Sequence, residues 1–89
     1  MINSFKKYIE LEKRYSAHTV LAYVKDVSEY ILFLDFEYDK TYRDCNHQLA
    51  RRFVVSLSER SYSNRTINRK LSSLSAFYKY LEKRNEVES

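Results

Sequence analysis

Among the side chains able to do chemistry, the cations are the ones set in a pattern. Arg65, Arg69 and Lys70 fall within the run Ser63–Leu81, S-N-R-T-I-N-R-K-L-S-S-L-S-A-F-Y-K-Y-L, and no acid follows them before Glu82. At about 100° per residue, Arg65, Arg69, Ser72 and Ala76 cluster within roughly 60° of one another on a helix. Lys79 and Lys83 extend that face toward the C-terminus. Small residues between guanidiniums let a helix approach a polyanion closely, and the planar fork then reaches phosphate oxygens or guanine edges. The helix start adds N–H groups and a partial positive charge that suit an anion. The plainer alternative is a solvated surface helix that happens to lack acids.

Other chemistries find little support. The chain of 89 residues has no glycine, which excludes glycine-rich phosphate loops and dinucleotide-binding turns. Cys45 and His47 stand two apart, but with His18 the only other histidine the four donors of a tetrahedral metal site are missing. Asn46 reads better as a helix cap. No carboxylate pair or nucleophile–base spacing points to an independent enzyme, and no cofactor is expected. A single cysteine forms no internal disulfide, which fits a reducing cytoplasm. The opening M-I-N-S-F-K-K-Y has no apolar stretch of a signal peptide, and no run approaches a membrane span. Sixteen Lys and Arg against 12 Asp and Glu give a net charge of +4, which favours a polyanionic partner.

The elements that must carry these residues are helices. Absence of both glycine and proline leaves all-β folds without turn residues and predicts an all-α domain. The first helix is expected from about Asn3 to Lys13, with Phe5 and Ile9 inward. Ser16 is a cap, with Tyr15 as a staple, for a second helix reaching about Phe36. Its apolar stripe is Val20, Val24, Val27, Ile31 and Leu34, with Thr19, Ala22, Asp26 and Glu29 on the other side and Lys25 at the edge. Residues 37–44 read as an ordered loop in which Tyr38 and Tyr42 pack. A third helix spans about His47 to Glu59, with Leu49, Phe53, Val54 and Leu57 inward. The fourth spans Asn64 to Lys83, capped by Ser63 or Asn64, with Ile67, Leu71, Leu74, Tyr78 and Leu81 as its stripe. The short–long–short–long order predicts a four-helix bundle of two helical hairpins packed across each other.

Two segments carry a family resemblance. Ser16-x-x-Thr19-x-x-x-Tyr23-x-x-Asp26-Val27-x-x-Tyr30-x-x-Phe33 is one. Ser63-x-x-Thr66-Ile67-x-Arg69-Lys70-Leu71-Ser72-x-Leu74-x-x-Phe77-Tyr78-x-Tyr80-Leu81 is the other. In this order and at this separation the chain resembles the N-terminal core-binding (SAM-like) domain of tyrosine recombinases and phage-type integrases. The resemblance covers nearly the whole chain, and the single domain is expected to span residues 1–89. It implies half of a clamp around duplex DNA, with the starts of the second and fourth helices at the major groove. Ser16, His18, Thr19, Ala22 and Lys25 would form one contact strip, and Arg65, Thr66, Arg69, Ser72 and Ser73 the other. Ser75 stands where the family often has arginine, and the turn before Tyr62 lacks the family's glycine.

The resemblance also implies a division of labour. Family members cut DNA with a tyrosine in a separate C-terminal domain, and none of the nine tyrosines here sits in that context. The chain is thus expected to be a non-catalytic, cytoplasmic DNA-binding domain, with N-E-V-E-S opening a linker to the catalytic half. Its expected partners are duplex DNA, other recombinase protomers and that catalytic domain. The alternatives are a helical protein-interaction module, using Phe33, Phe36 or Tyr80, and a stand-alone regulator that occupies recombination sites without cutting.

Overall fold

The computed structural model describes residues 2–44 and 46–85, apart from the His47 side chain. Cys45, the imidazole of His47 and residues 86–89 of the closing segment expected as a linker lie outside the described residues. Among the described residues four α-helices follow in order, α1 (Ile2–Leu11), α2 (Ala17–Tyr38), α3 (His47–Glu59) and α4 (Asn64–Lys83), with a short 3-10 turn at Tyr42–Asp44 between α2 and α3. There is no strand among the described residues, so the domain is all-α, as its composition predicts.

Helix starts follow the caps. Ser16, Asn46 and Ser63 each accept the backbone N–H three residues on, satisfying one orphan donor of the first turn. Helix ends need another solution, because the chain has no glycine for the left-handed position. Arg14, Asp39, Ser61 and Asn85 adopt it instead, with φ of 52–66°. At the end of α3, Ser61 takes the left-handed turn and the Tyr62 N–H reaches back to the Leu57 carbonyl at 3.1 Å. α2 runs two residues past its expected end, into the loop. Beyond it the loop is ordered, as expected. Tyr38 stacks edge-on against Phe33, Tyr42 packs on Phe77, and Asp44 accepts from both the N–H and hydroxyl of Thr41.

The two long helices, α2 and α4, form the centre and make the most extensive contact. α1 packs where the first half of α2 meets the last half of α4, around Phe5, Ile9, Val27, Phe77 and Leu81. α3 packs at the other end, around Tyr30, Leu34, Phe53, Leu57, Ile67 and Leu74. Each fully buried side chain of this size is worth roughly 1.5–3 kcal/mol of apolar burial. Edge-on rings stitch both ends, with Phe5 5.3 Å from Phe77 and Tyr30 5.1 Å from Phe53.

The inward faces of α2 and α4 differ from the expected stripes. On α4, Leu71 is 40 % exposed, while Lys70, Ser73, Phe77 and Tyr80 are buried. On α2, Asp26 and Tyr30 are fully buried, while Val24 and Ile31 are only partly so. On a helical wheel this turns the inward face from the aliphatic stripe by roughly 50° on α2 and roughly 65° on α4. The cause is polar: residues that pattern as surface groups bond one another between the two helices.

Candidate nucleic-acid interface

The seam between α2 and α4 is built around the carboxylate of Asp26. Arg69 donates to it twice, from Nη2 to Oδ1 at 2.8 Å and from Nε to Oδ2 at 3.1 Å. Lys70 Nζ donates to Oδ1 at 3.0 Å, and the Ser73 hydroxyl to Oδ2 at 2.7 Å. Lys70 also reaches Glu29 Oε2 at 2.7 Å and lies over the Tyr62 ring. Burial pushes the Asp26 carboxyl up, but the bonds from Arg69, Ser73 and Lys70 outweigh it and hold it below the ordinary value. Burial likewise lowers Lys70, and its bonds to Glu29 and Asp26 reverse the sign. Among the described residues no buried side-chain nitrogen or oxygen lacks a hydrogen-bond partner.

Several expectations change here. Lys70 is not part of an outer basic face; its ammonium is used up inside. Ser73, expected on the contact strip, is fully buried and bonded to Asp26. Asp26 itself, expected on the outward side of α2, points at α4. Tyr80, expected as an exposed contact, is 5 % exposed and packs against Phe5 and Tyr8. Arg69 keeps one side in solvent, with 45 % of its side chain exposed, but it is tied to Asp26.

The other expected residues lie along the outer lips of this seam or beyond them. Ser16 and Thr19 form one cap, and Ser63 and Thr66 an equivalent one. In each, the serine hydroxyl lies 3.2 Å from the threonine N–H and 3.0 Å from its hydroxyl. Neither helix has an acid in its own first turn to offset the partial positive charge there. Thr19 lies two turns before Asp26 on the same side of α2, about 10 Å along the axis. Burial, and the Tyr15 ring beside it, hold the Tyr23 hydroxyl above its ordinary value. Ala22 is partly buried, and Ser72 is exposed. His18, Lys25 and Arg65 are exposed, and no ion pair holds any of them among the described residues.

No three His, Cys, Asp or Glu side chains converge as metal donors among the described residues. None of the described helices is long and apolar enough to cross a membrane.

Residues 2–85 match the family described as phage integrase, N-terminal SAM-like domain. A tyrosine recombinase XerC of Anoxybacillus flavithermus is 38 % identical over 80 residues, which is 90 % of this chain and 27 % of the relative. The Bacillus subtilis XerC is 32 % identical over 87 residues, covering 98 % of this chain and 29 % of the relative. The Oceanobacillus iheyensis XerC is 34 % identical over 87 residues, again 98 % of this chain, and 28 % of the relative. The chain thus spans less than a third of these curated relatives. No solved structure gives a significant match.

Proposed function

Because this chain belongs to the phage integrase N-terminal SAM-like family, we propose that it grips duplex DNA for a site-specific tyrosine recombinase. It does so without catalysing strand exchange itself. The observation that carries the reading is the pair of matched Ser-x-x-Thr caps opening α2 and α4, set along a seam flanked by Lys25, Arg65 and Arg69. Thr19 and Thr66, with the first-turn N–H groups, hold phosphates and fix the register, which carries no sequence information. Ser16, His18, Ala22 and Ser72 lie close to the duplex. Ser73 supports that surface from inside rather than touching DNA. The catalytic tyrosine belongs to a separate C-terminal domain of the parent recombinase, and the setting is the cytoplasm.

Salt titration of DNA binding tests this. Neutralising about four to six phosphates releases counterions, so log K against log[salt] slopes at roughly −4 to −5. A flat response counts against it. Affinity of the isolated domain is modest, because a half clamp lacks the effective concentration its partner domain supplies.

A second reading rests on another surface. Leu32, Phe36, Val55 and Tyr62 are exposed around a groove between the end of α2 and α3, and Phe36 is 84 % exposed. An apolar surface of this kind suits contact with another recombinase protomer.

A further inference from the structure

We infer that Asp26 is a positioning residue that withdraws Arg69 from the domain's general attraction for DNA and holds it as a fixed hydrogen-bond donor. The inference rests on the DNA-binding reading and deepens it. A guanidinium has five N–H groups. Asp26 takes the Nε–H and one Nη2–H. Both Nη1 hydrogens and the second Nη2 hydrogen are left, on a side chain that is 45 % exposed. The second Nη2 hydrogen and one Nη1 hydrogen form the end-on edge of the fork, which is able to meet a phosphate or a guanine.

The carboxylate that holds it does not swing. Lys70 and Ser73 supply two further bonds to Asp26, which is wholly shut off from solvent. The charges also cancel. Asp26 and Glu29 face Arg69 and Lys70, two anions against two cations, so the cluster is neutral. A cation already paired inside the protein adds little counterion release when DNA arrives. Arg69 therefore contributes direction, while exposed Arg65 contributes charge. Non-specific affinity comes from the charge term, and sequence is read by directional contacts. Asp26 thus favours selectivity at the expense of indiscriminate binding.

The test is the salt slope of binding to a labelled random-sequence duplex, measured by fluorescence anisotropy, with helicity checked by circular dichroism. Asp26→Asn keeps the shape and an acceptor but releases the charge of Arg69. It steepens the slope by about one and raises low-salt affinity several-fold. Arg69→Gln leaves Asp26 bonded to Lys70 and Ser73. It lowers affinity several-fold with the slope unchanged. A purely structural role for Asp26 instead lowers helicity and affinity with no change of slope. If Arg69→Gln flattens the slope by about one, Arg69 acts as an ordinary phosphate neutraliser and the inference is overturned. Should Asp26→Asn unfold, Arg69→Gln alone decides. A wild-type chain with no salt-dependent binding overturns the DNA reading itself, which is a distinct result.

Discussion

The ammonium of Lys70 lies 3.0 Å from Oδ1 of Asp26, and both side chains are shut away from solvent. A lysine so placed is stable only as a member of its cluster, since an isolated buried charge is prohibitive. Removing one partner of a buried pair typically costs roughly 3–5 kcal/mol. Lys70→Ala is expected near the lower bound, about 3 kcal/mol, because Arg69 and Ser73 still satisfy Asp26. Lys70→Met loses less, since its chain keeps the packing of the lysine stem. Urea denaturation of both variants checks the order; equal losses would show that charge alone, and not the packing of the stem, holds the seam.

The same cluster sets a pH dependence. Asp26 titrates below its ordinary 3.8 in the folded state, so its contribution is present above 3.8 and is lost as pH falls through the lower folded value. Lys70 titrates above its ordinary 10.5, so its contribution is present below 10.5 and is lost as pH rises through the higher folded value. Stability is therefore level across neutral pH, with an acid limb and an alkaline limb. Asp26→Asn is less stable than the parent at about pH 6, and the gap narrows by about pH 3. Urea midpoints at the two pH values measure it, and a gap that stays constant would mean the carboxylate's charge is irrelevant. The limb does not vanish, because Asp44, bonded to Thr41, is also held low.

This cluster also marks the limit of what was legible in advance. Helix number, the three serine and asparagine caps and the bounds of α3 and α4 follow from periodicity and capping chemistry. The faces of α2 and α4 do not. Asp26, Lys70 and Ser73 are types that normally lie outside, so a stripe drawn through Leu, Ile and Val passes beside them. Only pairing across 44 residues of sequence separation makes Lys70 an interior residue. One signal is present: Asp26 and Arg69 stand one in each of the two family motifs, and opposite charges at motif positions of two helices are able to pair, which the periodicity of either helix alone does not show.

Helix closure without glycine leaves room for stabilisation. Ser61 sits at φ 66°, where a Cβ costs roughly 1–2 kcal/mol. Its N–H donates to the Ser58 carbonyl, and its side chain is exposed, so little is lost by trimming it. Ser61→Gly is expected to stabilise the domain by about 0.5–1 kcal/mol, net of the entropy glycine adds to the unfolded chain. Thermal unfolding at fixed pH reads this directly; a lower midpoint would place the strain elsewhere.

Phe36 offers a separate handle. It projects from α2 beside Leu32 on one wall of the α2–α3 groove, making no contribution to either buried cluster. Phe36→Ser is expected to leave stability within about 0.5 kcal/mol of the parent, as for an uninvolved surface position. If the groove serves protomer contacts, the change reduces concentration-dependent association in sedimentation and leaves the salt slope for DNA alone. Association equal in both chains would leave the groove without that role.

The lips of the seam can be tested without disturbing its interior. Lys25 and Arg65 belong to different helices, are both exposed, and take no part in the Asp26 cluster. Replacing each by alanine removes a full charge and no buried bond, so helicity and urea midpoint stay with the parent. On DNA, each single change flattens the log–log salt slope by about one, and the double change by about two, because each phosphate neutralised contributes close to −0.9. Affinity falls most at low salt, where counterion release is strongest. Arg51→Ala, on α3, serves as the control, since it lowers net charge equally from a helix other than the two capped ones. An Arg51 variant that flattens the slope as much as Arg65 would mean that DNA responds to total charge alone, and that the capped starts of α2 and α4 have no special claim on it.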